Sequence, residues 1–217
     1  MIKMKDSNLF KIEKVKFKNI LSIDDLEIKE NKITCIVGPS GSGKSTLVKL
    51  LNKMISPDSG KIYYRGQDLD EINSINLRRK VLMANQSPAI YKGTVKDNLL
   101  IGLKFSEKPL ASDETLEQIL SDIKIKKSLN DQVENLSGGE KQRISLGRLL
   151  LMDGEVLILD EPSSALDQDT EAFVMDYILS YVRTKNKSLL VVTHSKKLVQ
   201  DYADALIEIK EGRAIYE

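Results

Sequence analysis

The most constraining feature of this sequence is a glycine-rich segment between a short apolar run and a helical pattern. The segment from Gly38 to Ser45 reads GPSGSGKS and fits the pattern G-x-x-x-x-G-K-[ST]. Residues 32–37 are mostly apolar, as in a buried strand, and residues 45–52 place leucine and valine at helical spacing. Glycines let a backbone curl so that successive N–H groups point at an anion, and a helix N-terminus adds a favourable dipole. The segment predicts a phosphate-binding loop, and a flexible glycine turn is the alternative.

Two side chains of this loop have defined tasks in nucleotide binding. Lys44 can reach the β and γ phosphates, and the Ser45 hydroxyl can ligate Mg²⁺. Kinases, GTPases and motor ATPases share such a loop, so other motifs must decide the class. The residues predicted to contact the nucleotide are Gly38, Pro39, Ser40, Gly41, Ser42, Gly43, Lys44, Ser45 and Thr46.

A second apolar run ends in two acidic residues. Val156 to Leu159 is fully apolar, and Asp160 and Glu161 follow it. In a parallel sheet the C-terminal ends of the strands form the ligand crevice. We expect Asp160 to hold Mg²⁺ through a water and Glu161 to polarise the attacking water as a general base. Alone, the pattern fits a strand followed by solvated acids equally well, and the phosphate loop favours the catalytic interpretation.

Strand and helix patterns alternate along the chain. Residues 9–18 and 20–28 mix apolar and charged residues with partial alternation, which predicts two half-exposed antiparallel strands. Helical patterns dominate from Ser87 to Leu136, which predicts a helical insertion. Residues 188–192 predict another buried strand, and Glu211-Gly212 predicts a closing hairpin. The sequence therefore predicts an α/β domain with a mostly parallel sheet.

The segment from Leu136 to Arg143, LSGGEKQR, is a further candidate anion site. Its serine hydroxyl, its two glycines and the helix N-terminus after them could all present donors. Ser-Gly-Gly-Glu also fits an ordinary helix cap, in which the serine and the glutamate bond each other's backbone N–H. Physical reasoning alone favours the cap and leaves the anion site open.

The same segment resembles the signature sequence of ABC ATPases, and further motifs follow in that family's order. Gln86 resembles the Q-loop glutamine, Ser164-Ala165-Leu166-Asp167 resembles the D-loop, and His194 resembles the switch histidine. The resemblance extends over essentially the whole chain. It implies an α/β fold of the P-loop NTPase (RecA-like) type, with a mostly parallel sheet core, an N-terminal antiparallel β subdomain and an inserted α-helical subdomain.

The resemblance implies a single ABC ATPase domain over residues 1–217. The nucleotide-binding core is expected in residues 1–86 and 152–217. The helical subdomain, which includes the signature, is expected in residues 87–151.

In ABC ATPases two cassettes pack head to tail, with ATP between the phosphate loop of one and the signature of the other. This chain contains one copy of each motif. The resemblance therefore implies a dimer with a second cassette, either an identical chain or a different one. It also implies that Ser137, Gly138 and Gly139 hold the γ-phosphate across the interface and that Asp167 couples the two sites.

The resemblance assigns catalytic roles as well. Gln86 is expected to touch Mg²⁺ or the attacking water and to sense a membrane partner, and His194 is expected to contact the γ-phosphate. His194 is the only histidine of the chain, and without the other motifs a satisfied strand-end residue is the simpler interpretation. The expected catalytic residues are Lys44, Gln86, Glu161 and His194, the expected Mg²⁺ ligands are Ser45, Gln86 and Asp160, and the expected cofactors are ATP and Mg²⁺.

The sequence departs from the family where many cassettes stack adenine on an aromatic residue. The corresponding stretch from Val15 to Ile20 is shorter than usual, and the stacking position falls near Asn19. The nearest aromatic residue is Phe17, which is expected to face the core.

Composition limits the partners of the chain. Lys and Arg total 33 and Asp and Glu total 32, and nucleic-acid binders usually have a clear basic excess, so no nucleic acid is expected. The single cysteine, Cys35, fits a reducing compartment. Because the sequence has neither an apolar run long enough to cross a bilayer nor an apolar signal segment near Met1, the membrane part is expected from another chain, an integral membrane permease subunit. The protein is expected to be cytoplasmic and peripheral on the inner face of the cell membrane.

Together these motifs predict an ATP-hydrolysing subunit that energises a membrane transporter. Residues 87–99 resemble the segment after the Q-loop in exporter-like cassettes, which favours export, as in small single-cassette systems for metal ions or stress. Two alternatives stay open. One is a soluble ABC ATPase for cofactor assembly or repair, although the insertion lacks the sustained heptads of repair types. The other is a small-molecule phosphotransferase, which the signature disfavours.

Overall fold

The computed structural model describes residues 7–163 and 166–216. These residues form two β-sheets, with helices packed around them. The strands are β1 (Asn8–Phe17), β2 (Leu21–Lys29), β3 (Ile33–Val37), β4 (Ser59–Tyr64), β5 (Gln67–Asp68), β6 (Val81–Ala84), β7 (Val156–Asp160), β8 (Ser188–Val192), β9 (Ala205–Lys210) and β10 (Arg213–Tyr216). The helices are α1 (Lys44–Leu51), α2 (Ser74–Lys80), α3 (Val95–Phe105), α4 (Asp113–Asp122), α5 (Gly138–Met152), α6 (Gln168–Thr184) and α7 (Lys196–Tyr202).

The smaller sheet is antiparallel and has the order β2-β1-β4-β5. The two antiparallel strands predicted near the N-terminus are confirmed as β1 and β2. Their alternation of buried and exposed residues is only partial because β1 is irregular where it pairs with β4, between Glu13 and Lys16. Lys14 within this irregularity has a φ of 52°, so the strand twists there and its side chains change face.

The larger sheet has six strands in the order β10-β9-β3-β8-β7-β6. Its inner pairings are parallel, and β10 closes an antiparallel hairpin with β9, as the sequence predicts. Every residue of β7 and of β8 is buried, because helices cover one face and the smaller sheet and α1 cover the other. Parallel strands buried on both faces have continuous apolar sequences. The mostly parallel α/β core is thus confirmed.

Three apolar clusters stabilise the fold. The first joins the two sheets around α1, and Phe10, Leu47 and Ile158 belong to it. The second packs α5, α6 and α7 on the opposite face of the larger sheet. The third lies among α3, α4 and α5 within the stretch predicted to be helical, with Leu99 and Leu116 fully buried. Helices α1 and α3 to α7 therefore pack apolar side chains against a sheet or against other helices.

Helix α2 has no counterpart among the sequence-based expectations. Leu77 is its only buried residue, so the helix lacks the apolar periodicity that reveals most helices. Its start is fixed instead by Asn73, whose side chain accepts hydrogen bonds from the backbone N–H groups of Ile75 and Asn76. An Asn cap of this kind satisfies N–H groups that a helix leaves without internal partners.

Ile158 lies in strand β7, between β8 and β6, and is fully buried. We expect Ile158→Ala to lower the free energy of unfolding by about 2–5 kcal/mol, because the lost contacts leave a cavity between the sheets. Urea denaturation followed by circular dichroism measures the change. The matched control is Ile75→Ala, at a side chain that is 58% exposed. The control should change stability by no more than about 0.5 kcal/mol, and equal losses in both variants would contradict the packing assignment.

Candidate active site

Four loops that follow parallel strands meet at one edge of the larger sheet. The phosphate loop follows β3, Gln86 follows β6, Glu161 follows β7, and His194 follows β8. These strands are neighbours in the order β3-β8-β7-β6, so their carboxyl ends lie side by side. The loops line a cavity of about 430 Å³ that contains residues of the phosphate loop together with Gln86, Glu161 and His194.

The phosphate loop has a backbone that only glycine adopts readily. Gly38, Gly41 and Gly43 have φ angles of 140°, 76° and 107°. A Cβ atom on Gly38 would lie 2.0 Å from the carbonyl oxygen of Ile209, so this position also lacks room for a side chain. Gly43 is the N-cap of α1 and provides no side-chain cap, which leaves the first N–H groups of the helix available to an anion.

Polar groups inside the loop fit a phosphate. The Lys44 side chain is almost fully buried, and its Nζ donates hydrogen bonds to the carbonyl oxygens of Gly38 at 2.9 Å and Pro39 at 2.8 Å. The hydroxyl of Ser42 is buried and has no hydrogen-bond partner within residues 7–163 and 166–216. A phosphate in the loop would supply an acceptor for the unpaired Ser42 hydroxyl and a counter-charge for the Lys44 ammonium, whose hydrogen bonds go to neutral carbonyl oxygens.

The half-buried Ser45 and the buried Asp160 form a pair of oxygen groups beside the loop. Ser45 Oγ donates to Asp160 Oδ1 at 3.0 Å. Burial raises the pKa of Asp160 above its usual range, and the neighbouring carboxylate of Glu161 adds to this, whereas the hydrogen bond from Ser45 opposes it. A cation at this place would favour the ionised carboxylate. One carboxylate and one hydroxyl are oxygen ligands of the kind Mg²⁺ takes together with phosphate oxygens and waters, so the pair fits this ion.

The Glu161 carboxylate lies between two other predicted site residues. Gln86 Nε2 donates to Glu161 Oε2 at 2.7 Å, and His194 Nε2 lies 3.3 Å from Glu161 Oε1. Glu161 has a φ of 49°, a left-handed conformation that is uncommon outside glycine, and its N–H donates to the Val192 carbonyl oxygen at 3.1 Å. The backbone thus turns sharply after β7 and directs the carboxylate into the cavity.

The signature segment forms the helix cap that physical reasoning favours. Ser137 Oγ accepts from the N–H of Glu140 at 3.2 Å, and the Glu140 carboxylate accepts from the N–H of Ser137 at 2.8 Å. A Cβ atom on Gly138 would meet nothing within 4 Å, so packing inside the chain does not require glycine there. Ser137, Gly138 and Gly139 are not among the residues that line the cavity above the phosphate loop.

Asp167 caps helix α6 at the surface. Its side chain accepts from the N–H of Thr170 at 2.9 Å, and this hydrogen bond lowers the pKa of Asp167 below its usual range. Ser164 and Ala165, the first two residues of the predicted D-loop, lie outside the described residues.

Sequence reasoning missed the residue that borders the cavity on the side of the short β1–β2 turn. Ile20 lines the cavity and is 41% exposed, whereas Asn19, where the stacking position was expected, does not line it. Phe17 packs against the first apolar cluster, which confirms the expectation that it faces the core. An aliphatic side chain in a turn carries no sequence signal that separates it from ordinary turn residues.

Known proteins resemble this chain in sequence and in fold. A family profile described as ABC transporter matches residues 21–164. Protein STAR1 of Oryza sativa subsp. japonica is 36% identical over 192 residues, which are 88% of this chain and 55% of that protein. ABC transporter I family member 17 of Arabidopsis thaliana is 35% identical over 191 residues, which are 88% of this chain and 72% of that protein.

Among solved structures, a dimeric ATP-binding cassette in a post-hydrolysis state, bound to ADP and Pi, superposes with a TM-score of 0.84 at 25% identity. The match covers 94% of this chain and 96% of that one. The fold and the phosphate loop define a P-loop nucleotide-binding domain. The chain belongs to the ABC transporter family and is an ABC ATPase, which binds ATP.

No helix within residues 7–163 and 166–216 has both the length and the apolar character needed to cross a membrane.

Two effects of a side chain at Gly38 can be measured separately: its clash with the Ile209 carbonyl oxygen and the strain of a positive φ. Gly66 has a φ of 82° with open space around it, whereas Gly38 has a φ of 140° and a backbone oxygen in the way. We expect Gly66→Ala to cost about 1–2 kcal/mol of stability from the left-handed conformation alone. Gly38→Ala should cost clearly more and should also weaken ATP binding, because the loop must move. Thermal denaturation and binding of a fluorescent ATP analogue measure the two effects. Equal losses of stability with intact binding would contradict this account of the loop.

Proposed function

We propose that this chain hydrolyses ATP with Mg²⁺ as part of a head-to-tail dimer and thereby energises transport through an integral membrane permease subunit. The observation that carries the catalytic part is the Glu161 carboxylate, which is held between Gln86 and His194 above the phosphate loop. This arrangement directs a single general base at the place where the terminal phosphate of a bound nucleotide would lie.

In this proposal the residues 38–46 bind the phosphates through backbone N–H groups and through Lys44. Lys44 would exchange its bonds to the Gly38 and Pro39 carbonyl oxygens for phosphate oxygens, which carry charge and bind an ammonium more strongly. Ser45, Asp160 and Gln86 would hold Mg²⁺, which would neutralise charge on the phosphates.

Glu161 acts as the general base that takes a proton from the attacking water. Gln86 bonds one carboxylate oxygen and His194 approaches the other, so both restrict the orientation of the base. His194 is 54% exposed, which leaves its ring free to contact the γ-phosphate. The transfer of a phosphoryl group requires little covalent chemistry from the protein, so positioning and charge stabilisation supply most of the catalysis.

The second cassette is proposed because the cavity contains one half of the expected site. Ser137, Gly138 and Gly139 do not border the cavity of their own chain, and the open space at Gly138 leaves the start of α5 accessible to an external phosphate. The capping box uses the N–H groups of Ser137 and Glu140 and does not use those of Gly138 and Gly139. A second copy of this chain provides the missing signature in the simplest arrangement, with Asp167 coupling the two sites. A different cassette would fit the same geometry.

The membrane partner is proposed from membership in the ABC transporter family. In the proposed domain division, residues 1–86 and 152–217 bind the nucleotide and residues 87–151 form the helical subdomain that docks on the permease. The chain would then lie in the cytoplasm on the inner face of the membrane. The resemblance of residues 87–99 to exporter-like cassettes favours export.

Loss of the general base and loss of a phosphate contact should impair different steps, hydrolysis and ATP binding. We expect Glu161→Gln to lower the rate of ATP hydrolysis by roughly 100-fold or more, to retain ATP binding, and to accumulate a dimer with ATP and Mg²⁺ in size-exclusion chromatography. Lys44→Ala, the matched variant, should lose ATP binding and stay monomeric. Near wild-type hydrolysis by Glu161→Gln would rule out the general-base assignment.

The proposed association with a permease is tested in cells with the same Glu161→Gln variant. A tagged Glu161→Gln chain is expressed, membranes are solubilised with ATP and Mg²⁺, and copurifying proteins are identified. We expect a polytopic membrane protein in stoichiometric amount, because trapping the closed dimer stabilises its complex. Recovery of soluble partners alone would refute the transporter assignment and favour an ATPase of cofactor assembly or repair.

A further inference from the structure

A half-buried arginine joins helix α5 to the loop that follows Gln86. Arg148 Nε donates to the Asn98 carbonyl oxygen at 2.9 Å, and Arg148 Nη1 donates to the Ala89 carbonyl oxygen at 3.0 Å. Burial lowers the pKa of Arg148 below its usual range. Within residues 7–163 and 166–216 no carboxylate lies within ion-pair distance of the guanidinium, so its hydrogen bonds go to neutral oxygens. Such a charge is costly to bury, and it uses its planar donors to hold backbone rather than to form an ion pair.

Asn98 extends this contact to the next part of the loop. Its side chain is fully buried, Oδ1 accepts from the N–H of Tyr91 at 2.9 Å, and Nδ2 donates to the carbonyl oxygen of Tyr91 at 2.8 Å. Arg148 Nη2 lies 3.5 Å from the same Oδ1, and the guanidinium carbon lies 5.5 Å from the centre of the Tyr91 ring. The loop from Asn85 to Gly93 contains no helix or strand, so these side-chain bonds hold it together with the packing of Ile90 on the third apolar cluster and of the Tyr91 ring on Phe105.

Gln86 lies between two fixed points of this backbone. On one side Ala84 is the last residue of β6 and pairs with Leu159 of β7. On the other side Arg148 binds the carbonyl oxygen of Ala89. A short segment with both ends fixed has little freedom, because each residue spans at most about 3.6 Å. The two anchors therefore limit how far Gln86 can move from the position at which it donates to Glu161.

We propose that Arg148 is a positioning residue that keeps Gln86 in contact with the catalytic base by fixing the loop at Ala89. Arg148 and Ser137 lie on the same helix, α5, and a helix of this length transmits a displacement as a rigid element. A movement of the signature when the second cassette docks therefore moves Arg148, and with it the loop that carries Gln86. The inference rests on the catalytic roles proposed above for Gln86 and Glu161.

The test begins with Arg148→Met, which retains an unbranched apolar side chain and removes all the donors of the guanidinium. We expect kcat for ATP hydrolysis to fall roughly tenfold, as for a small misplacement of a catalytic group, while KM for ATP stays unchanged because the phosphate loop is untouched. Arg148→Lys retains the charge but reaches one carbonyl oxygen at a time, so it should restore part of the loss. The control is Arg183→Met. The Arg183 guanidinium contacts the backbone oxygen of Tyr202 and the carboxylate of Asp204, and none of these residues lines the cavity. The kcat of this variant should match that of the wild-type chain.

A double-mutant cycle with Gln86→Ala separates positioning from general destabilisation. If Arg148 acts through Gln86, Arg148→Met has no further effect on kcat once Gln86 is replaced. Hydrogen exchange of the full chain gives a measurement that does not depend on activity. The amides of residues 86–92 should exchange faster in Arg148→Met and at the wild-type rate in Arg183→Met.

Three outcomes would overturn the inference: unchanged exchange in residues 86–92, a kcat effect that is equally large in the Gln86→Ala background, and no loss of kcat in Arg148→Met. If Arg148→Met does not fold, Arg148→Lys gives the same exchange and kinetic comparisons. A failure of the proposed function is recognised by a different result. In that case Glu161→Gln hydrolyses ATP at the wild-type rate, whatever the hydrogen exchange of Arg148→Met shows.

Discussion

The parallel pairing of β3, β8, β7 and β6 is the constraint on which the rest of the structure depends. Parallel strands place all their carboxyl ends at one edge of the sheet, and here that edge carries the phosphate loop, Gln86, Glu161 and His194. Backbone hydrogen bonds set the spacing between neighbouring strands, and packing on both faces of the sheet holds the strands in place. The side chains that follow them are consequently held within a few ångströms of each other, and the Glu161 carboxylate can contact Gln86 and His194 at once.

The site contains several features that a globular fold usually avoids, and they lie around the place where a nucleotide and its cation are proposed to bind. The buried hydroxyl of Ser42 lacks a partner among the described residues, Asp160 has a raised pKa in a buried position, and Glu161 adopts a left-handed backbone conformation. Local rules of stability are expected to fail at functional positions, because the chain is organised there for a ligand.

Helix α5 connects the two segments on which the proposed mechanism depends, the signature and the loop after Gln86. At its start the capping box of Ser137 and Glu140 satisfies the helix, while the open space at Gly138 leaves room for an external group. The helix-cap and anion-site interpretations of the signature are therefore compatible. Further along the helix, Arg148 reaches the loop after Gln86. A single helix thus links the surface that is proposed to meet the second cassette with the loop that is proposed to position the base.

The sequence alone determined the features that depend on local pattern: the phosphate loop, the antiparallel N-terminal strands, the buried strands β7 and β8, the C-terminal hairpin and the family. Local periodicity and turn chemistry encode these features, so a short window suffices to predict them. Only the tertiary structure decided which strand ends are neighbours, and therefore that Glu161 lies between Gln86 and His194, that Ile20 rather than Asn19 borders the cavity, and that Arg148 binds Ala89. The order of strands in a sheet and the direction of a side chain in a turn follow from packing between distant segments. No periodicity in the sequence records them.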